Sequence, residues 1–87
     1  MSILESKLEG DVCMMAKAAG ILYPKIKFVD NGYPDRLFIS PLGILLWIEL
    51  KRPGEVPKKI QNYRILELRL RNQIAFWTDR YDECFFA

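Results

Sequence analysis

The 87-residue chain contains no histidine, two cysteines, and no apolar run that approaches the roughly 20 residues of a membrane span. Without histidine, the chain cannot use Ser-His or Cys-His catalysis or histidine-ligated zinc. Its chemistry must therefore come from carboxylates, lysine, tyrosine or a hard metal ion. Cys13 and Cys84 lie far apart without metal-site spacing, so we expect reduced thiols. The N-terminal segment has no signal-peptide core, and together these absences favour a soluble, cytoplasmic protein.

The composition predicts a single small folded domain over residues 1–87. Hydrophobic residues make up 51% of the chain and charged residues 28%, which is typical of globular rather than disordered proteins. A core of this size is marginally stable, so a partner subunit or a bound ion would help. The net charge of +2 is too small to indicate a nucleic-acid partner by itself.

Hydrophobic periodicity predicts a small α/β domain built around a mixed sheet. The most apolar strand is expected to be central, because both of its faces need to be covered. Pro24 marks the beginning of the first strand or an edge position. In chain order, the predicted elements are a helix at 4–19, strands at 21–30, 35–40 and 44–51, a helix at 56–72 and a strand at 73–79.

The second predicted helix carries two apolar stripes, which indicates that it is covered on two sides. One cover is the sheet, and the other is either the first helix or a second subunit. The second stripe and the apolar C-terminal tail therefore either form a homodimer surface or pack within the monomer. The first stripe is Tyr63, Leu66 and Leu70, the second is Ile65 and Leu68, and the tail includes Phe85 and Phe86.

Charged residues end the most apolar segment of the chain, ILLWIELK. In a strand, Glu49 and Lys51 point to the same side, roughly 6.6 Å apart along the chain, while Leu50 points to the other. The tight turn SPLG brings Asp35 back beside them. Buried charges are costly unless compensated, and a hard divalent cation such as Mg²⁺ would compensate the carboxylates. The alternative is a structural salt bridge or a solvated strand end.

The segment GYPDRLFI…WIELKRPGE resembles the PD-(D/E)xK nuclease superfamily. More narrowly, GxPDRL, IELKRPG and a downstream glutamine resemble the VRR-NUC family of small nucleases, which are related to Holliday-junction resolvases. The resemblance covers most of the chain and implies a restriction-endonuclease-like core in the order α-β-β-β-α-β. It also implies cleavage of DNA with Mg²⁺ or Mn²⁺, with branched DNA favoured as the substrate.

The resemblance assigns roles to residues on the two central strands. Asp35 and Glu49 are implied as metal ligands, and the backbone carbonyl of Leu50 as a further ligand. Lys51 is implied as the catalytic lysine, which would orient or deprotonate an attacking water.

The resemblance also assigns residues on the two helices. Glu9 is implied as the glutamate of the first helix, because it stands eleven residues before Gly20, and Glu5 is the alternative. Gln61 falls where the family carries a glutamine that faces the site. The QxxxY pattern of some relatives is not met, since Tyr63 comes two residues after Gln61.

Four basic residues near the predicted site are candidates for phosphate contacts. Arg36 directly follows Asp35, whereas Arg52, Lys58 and Lys59 follow Lys51. Each could instead be a solvated surface charge. Because no base-reading module is present, we expect recognition of DNA structure rather than of base sequence.

Other functions remain compatible with the sequence. One is a non-cleaving nucleic-acid-binding or assembly module on the same fold. Another is an interaction protein in which the acid–lysine pair is structural, and this protein would have no reason to bind Mn²⁺. Within nucleases, the alternative is a restriction-type, non-specific or exonucleolytic subunit of a larger complex.

Overall fold

The computed structural model describes residues 3–28 and 30–80, with side chains from residue 6 onward. These residues form a three-stranded sheet and two helices, neither of which is long and apolar enough to cross a membrane. The elements in chain order are α1 (Ile3–Ala18), β1 (Arg36–Ile39), β2 (Leu45–Leu50), α2 (Lys59–Arg69) and β3 (Ile74–Thr78).

The sheet has the order β1-β2-β3, antiparallel between β1 and β2 and parallel between β2 and β3. The predicted α/β class, the mixed sheet and the central position of the apolar strand are therefore confirmed. A tight turn joins β1 to β2, in which the Ser40 hydroxyl oxygen accepts the backbone N–H groups of Leu42 and Ile44 at 3.2 and 3.0 Å.

Side chains alternate between the two faces of β2, and each face packs against one helix. Ile48 and Leu50 belong to a core that includes Val12 of α1. On the other face, Trp47 packs against a core that includes Ile65 of α2. The molecule therefore has three layers, with the sheet between α1 and α2.

The residues at the helix ends explain where the helices stop. At the end of α1, Gly20 has a φ of 72°, and the N–H of Ile21 donates to the Ala16 carbonyl at 2.8 Å, as in a Schellman motif. The second helix is shorter than the predicted 56–72. Pro57 disfavours helical geometry in the residue before it, and Asn72 has a left-handed φ of 61°.

The first strand of the predicted order α-β-β-β-α-β is reduced to two isolated bridges, Leu22 with Ile39 and Lys25 with Arg36. The segment still runs antiparallel to β1. Pro24 explains the interruption, because its carbonyl accepts the Leu37 N–H at 3.2 Å but its own nitrogen has no hydrogen to return.

The outward face of α2 differs from the prediction. Ile65 and Leu68 are buried together with Ala75, so their packing within the monomer is confirmed and their use as a dimer surface is wrong. The exposed residues are those of the first stripe, Tyr63, Leu66 and Leu70. Phe85 and Phe86 lie outside the described residues.

Candidate active site

The hairpin between β1 and β2 brings two of the predicted metal ligands together. Arg36 pairs with Ile48, so Asp35 and Glu49 come next to each other at the end of the pairing. Opposite residues of an antiparallel pair lie on the same face, with Cβ atoms roughly 5 Å apart. Glu49 alternates with Trp47 along β2, so both carboxylates belong to the α2 face of the sheet. Asp35 is half-buried and Glu49 is buried.

Lys51 continues the same face just beyond β2. Its side chain is 8% exposed, and its Nζ lies 3.6 Å from Oε1 of Glu55. Its backbone N–H donates to the Thr78 carbonyl of β3 at 2.9 Å. Because a buried ammonium group is unfavourable without a counter-charge, Glu55 stabilises Lys51 at the end of the strand. Leu50 lies between the two charged positions, with its side chain buried on the α1 face.

Two acidic residues that the sequence analysis did not identify hold the loop after Lys51. Oε2 of Glu55 lies 3.1 Å from Nε of Arg52. Oδ2 of Asp79 accepts the Gly54 N–H at 2.9 Å. The spacing of Glu55, four residues after Lys51 in a Pro-Gly turn, is a signal that could have revealed it. The contact of Asp79 depends on β3 lying beside β2, so it has no comparable local signal.

Glu9 lies on the opposite face of the sheet from the two strand carboxylates. Its Oε2 is 3.0 Å from Nη2 of Arg36 and 3.6 Å from Nζ of Lys25. Nη1 of Arg36 also donates to the Tyr23 carbonyl at 2.6 Å. Because Arg36 pairs with Ile48, whose side chain faces α1, this ion pair belongs to the α1 side. The role of Glu9 as a metal ligand therefore stays a prediction.

Gln61 and the predicted phosphate contacts lie around the start of α2. Oε1 of Gln61 accepts the Lys58 N–H at 2.8 Å, which satisfies one backbone donor at the helix N-terminus. Its role at the site stays a prediction. Arg52, Lys58 and Lys59 are exposed. Arg36 is different, because its side chain is only 11% exposed and is held by Glu9.

The donor set suits a hard divalent cation in part. Asp35 and Glu49 are neighbouring carboxylates, and carboxylate oxygens are ligands that Mg²⁺ and Mn²⁺ accept readily. Within residues 3–28 and 30–80, no three acidic or cysteine side chains are grouped so that they could hold a metal ion. Glu9 lies on the α1 side of the sheet and is paired with Arg36, so it is not grouped with these two carboxylates. The side chain of Glu5, the alternative ligand, lies outside the described part of the chain.

Two titratable groups lie in the contact between the loop before Asp35 and α2. The pKa of Glu67 is lowered, chiefly by a hydrogen bond from the Tyr33 hydroxyl and further by Arg64. The same hydrogen bond is the main reason that the pKa of Tyr33 is raised. At neutral pH, Glu67 is therefore negatively charged and Tyr33 is neutral.

Comparison with known proteins supports the resemblance. No protein-family model matches the sequence. A solved structure described as a VRR_NUC domain superimposes with a TM-score of 0.86 at 23% identity, covering 94% of this chain and 90% of that chain. The fold is that of a VRR_NUC domain. The predicted restriction-endonuclease-like architecture is thereby confirmed.

A similarity in sequence points in the same direction as the VRR_NUC fold. The chain is 38% identical over 50 residues to a protein of Acyrthosiphon pisum secondary endosymbiont phage 1, named "Putative nuclease p44". The match covers 58% of this chain and 54% of the phage protein, so the chain spans about half the length of that relative. Together, the two similarities support the resemblance to VRR-NUC nucleases that the motifs around Asp35 and Glu49 carry.

Proposed function

We propose that this chain is a metal-dependent nuclease that hydrolyses DNA phosphodiester bonds and prefers branched DNA. The main support is the register of β1 and β2, because it sets Asp35 beside Glu49 with Lys51 two residues further on. The VRR_NUC fold and the similarity to the phage protein add to this support. The phage relative also favours action in the cytoplasm of a bacterium or of a phage-infected cell.

In this proposal, Asp35 and Glu49 would hold Mg²⁺ or Mn²⁺, with the Leu50 carbonyl as a further ligand. Glu9 would join them only after leaving its ion pair with Arg36 on the α1 side of the sheet. A bound ion of this kind acts as a Lewis acid on the phosphate and lowers the pKa of a water ligand. Lys51 orients the attacking water or offsets the negative charge that develops on the phosphate. The ion pair with Glu55 keeps the Lys51 ammonium group close to the end of β2.

The DNA would lie along the loop and helix start that follow Lys51. Arg52, Lys58 and Lys59 are exposed there, and phosphate contacts from such residues carry affinity without reading bases. Gln61, one turn into α2, would face the same side. A phosphate contact from Arg36 would require its ion pair with Glu9 to open.

We propose a homodimer to account for the preference for branched DNA. A two-fold dimer presents two equivalent sites, which matches the two symmetric cleavage positions of a four-way junction. The exposed stripe of Tyr63, Leu66 and Leu70 on α2 is the surface we assign to the second copy. Burial of such a stripe would also add apolar area to a small domain.

The experiment is cleavage of labelled four-way junction, splayed-arm and linear duplex DNA with Mg²⁺ or Mn²⁺. Asp35→Asn and Lys51→Ala should each lower the cleavage rate by at least about 100-fold. The first weakens binding of the metal ion, and the second removes the positive charge beside the reacting phosphate. Asp11→Asn, the same change at another half-buried position, on α1, is the matched control and should retain the wild-type rate. Metal-dependent cutting that persists in Asp35→Asn would refute the assignment.

A second candidate is a module on the same fold that binds nucleic acid without cutting it. The observation in its favour is that Glu9 and Lys51 are each held by a protein counter-ion, Arg36 and Glu55. Titration with Mn²⁺ separates the candidates. If the protein is only a binding module, wild type and Asp35→Asn should bind Mn²⁺ equally weakly. Product lengths on linear and nicked DNA would identify an exonucleolytic or non-specific subunit of a larger complex.

A further inference from the structure

The loop that carries Asp35 is attached to α2 through a polar cluster formed by Tyr33, Arg64 and Glu67. We propose that these three residues are positioning residues, which hold Asp35 at the place where it lies beside Glu49. The inference rests on the proposed nuclease function. It assigns the residues no contact with the metal ion or the DNA.

Hydrogen bonds and a cation–π contact join the loop to α2. The Tyr33 hydroxyl donates to Oε1 of Glu67 at 2.6 Å. Nε of Arg64 donates to the Asn31 carbonyl at 3.0 Å, and its Cζ lies 4.5 Å from the centre of the Tyr33 ring. Nη1 of Arg64 also donates to Oε1 of Glu67 at 3.3 Å. The loop is therefore held through its backbone, a ring face and a hydroxyl group.

Hydrogen bonds to an ionised carboxylate are stronger than those between neutral groups. The Tyr33–Glu67 bond joins residues 34 positions apart in sequence, so it constrains the loop relative to the helix. Arg64 bonds both the loop carbonyl and Glu67, which links the two attachment points. Such networks fix geometry more firmly than isolated pairs do.

The attachment lies very close to the proposed ligand. Pro34 alone separates Tyr33 from Asp35, and it is among the most buried side chains, with less than 2% of its surface exposed. The proline ring also fixes its own φ angle. On the other side of Tyr33, Gly32 lies directly against Ile60 at the start of α2. A displacement of Tyr33 would therefore be transmitted to Asp35.

Asp35 stands at the junction between this loop and the sheet. Its carbonyl accepts the Ile26 N–H at 2.8 Å, and β1 begins at the next residue, Arg36. The strand pairing holds Asp35 from its C-terminal side, and the polar cluster holds it from its N-terminal side. Residues that orient metal ligands in this way affect metal affinity even though they do not touch the ion.

The test compares Tyr33→Phe with Tyr23→Phe, which removes the same hydroxyl group from a residue on the α1 side of the sheet. Mn²⁺ affinity is measured by calorimetric titration without DNA, at a temperature where unfolding curves show each variant fully folded. Tyr33→Phe should bind Mn²⁺ about 10-fold more weakly than wild type. On four-way-junction DNA at fixed Mn²⁺, its kcat should fall while its KM for DNA stays unchanged. Tyr23→Phe should match wild type in both assays.

Two variants of Glu67 test whether Mn²⁺ affinity depends on an acceptor for the Tyr33 hydroxyl. Glu67→Gln keeps an oxygen acceptor for the Tyr33 hydroxyl and should retain most of the Mn²⁺ affinity, whereas Glu67→Ala should lose as much as Tyr33→Phe. Equal Mn²⁺ affinity in Tyr33→Phe and wild type would overturn the proposal.

If wild type neither binds Mn²⁺ nor cuts DNA, the proposed function fails. Hydrogen exchange at the Ile26 amide then decides the positioning role: lower protection in Tyr33→Phe supports it, and unchanged protection refutes it.

Discussion

Gly32 shows how a single residue determines the fit between the loop and α2. It has a φ of 92°, and an added Cβ would lie 2.6 Å from Cγ1 and 2.9 Å from the carbonyl oxygen of Ile60. Other residues rarely adopt this backbone conformation, and no side chain fits the space. Glycine at this position therefore allows the loop before Asp35 to approach the helix closely.

We predict that Gly32→Ala lowers the free energy of unfolding by about 2–4 kcal/mol, from backbone strain and overlap with Ile60 together. Denaturant unfolding measures the change. Gly43→Ala is the matched control, since Gly43 has a similar φ of 83° with open space around it. It should cost about 1–2 kcal/mol from strain alone. Equal losses in the two variants would mean that the contact with Ile60 is unimportant.

At the scale of the element, α2 combines three tasks on three of its faces. Ile65 and Leu68 cover the sheet, Arg64 and Glu67 hold the loop before Asp35, and Tyr63 belongs to the exposed stripe. Changes at Arg64 or Glu67 are therefore expected to reach Asp35 through the loop that they hold.

The polar cluster on α2 predicts a specific dependence of stability on pH. The pKa of Glu67 in the folded state lies below its ordinary value of 4.5, because Tyr33, Arg64 and Arg71 lower it. Asp30 also faces the cluster, and its charge raises the pKa of both Tyr33 and Arg64. A carboxyl group with a lowered pKa stabilises the fold at pH values above its ordinary pKa. This stabilisation is lost as the pH falls through the pKa of the folded state.

We therefore expect the stability difference between wild type and Tyr33→Phe to be largest at neutral pH and to narrow on acidification. Urea unfolding at a series of pH values between about 6 and 2 measures it. Glu67→Gln, which cannot ionise, should show a smaller loss of stability over the same interval. A difference between Tyr33→Phe and wild type that stays constant with pH would contradict the assigned cause.

The basic residues at the start of α2 predict how DNA binding depends on salt. Each phosphate contact contributes about 1 to the slope of log affinity against log salt concentration. Replacing Lys58 and Lys59 with alanine should therefore reduce the magnitude of this negative slope by about 2. Fluorescence anisotropy on four-way-junction DNA measures the change. The matched control replaces Lys7 and Lys17 on α1, which are also exposed. If both pairs lower the slope equally, the binding surface is not localised at α2.

At the scale of the whole molecule, a small three-layer domain leaves large apolar side chains uncovered on one side of α2. Leu66 and Leu70 are 56% and 74% exposed. We predict that the protein sediments as a dimer at micromolar concentration and that Leu66→Glu shifts it to a monomer. Leu42→Glu is the control, because Leu42 is 88% exposed on the hairpin turn and lies outside the stripe. A compact wild-type monomer in the same experiment would rule out the dimer.

Much of the fold could be predicted from the sequence, because its signals are local. The apolar segment that ends at Leu50 indicated the central strand, and Gly20 indicated the end of α1. The proximity of Asp35 and Glu49 also followed from the sequence, since a tight turn fixes the register of the two strands that it joins. In the same way, Pro24 marked an edge position, although the interruption of the ladder around it was not predicted.

The remaining features depend on contacts between segments far apart in the chain. Helical periodicity placed two apolar stripes on α2, but the packing of Ile65 and Leu68 on the sheet determined which stripe is buried. Likewise, a spacing in α1 cannot show that Glu9 bonds Arg36 on the far side of the sheet, or that Tyr33 reaches Glu67. A tight turn and helical periodicity determine which nearby residues in the chain come together. The packing of the three layers determines which distant side chains make contact.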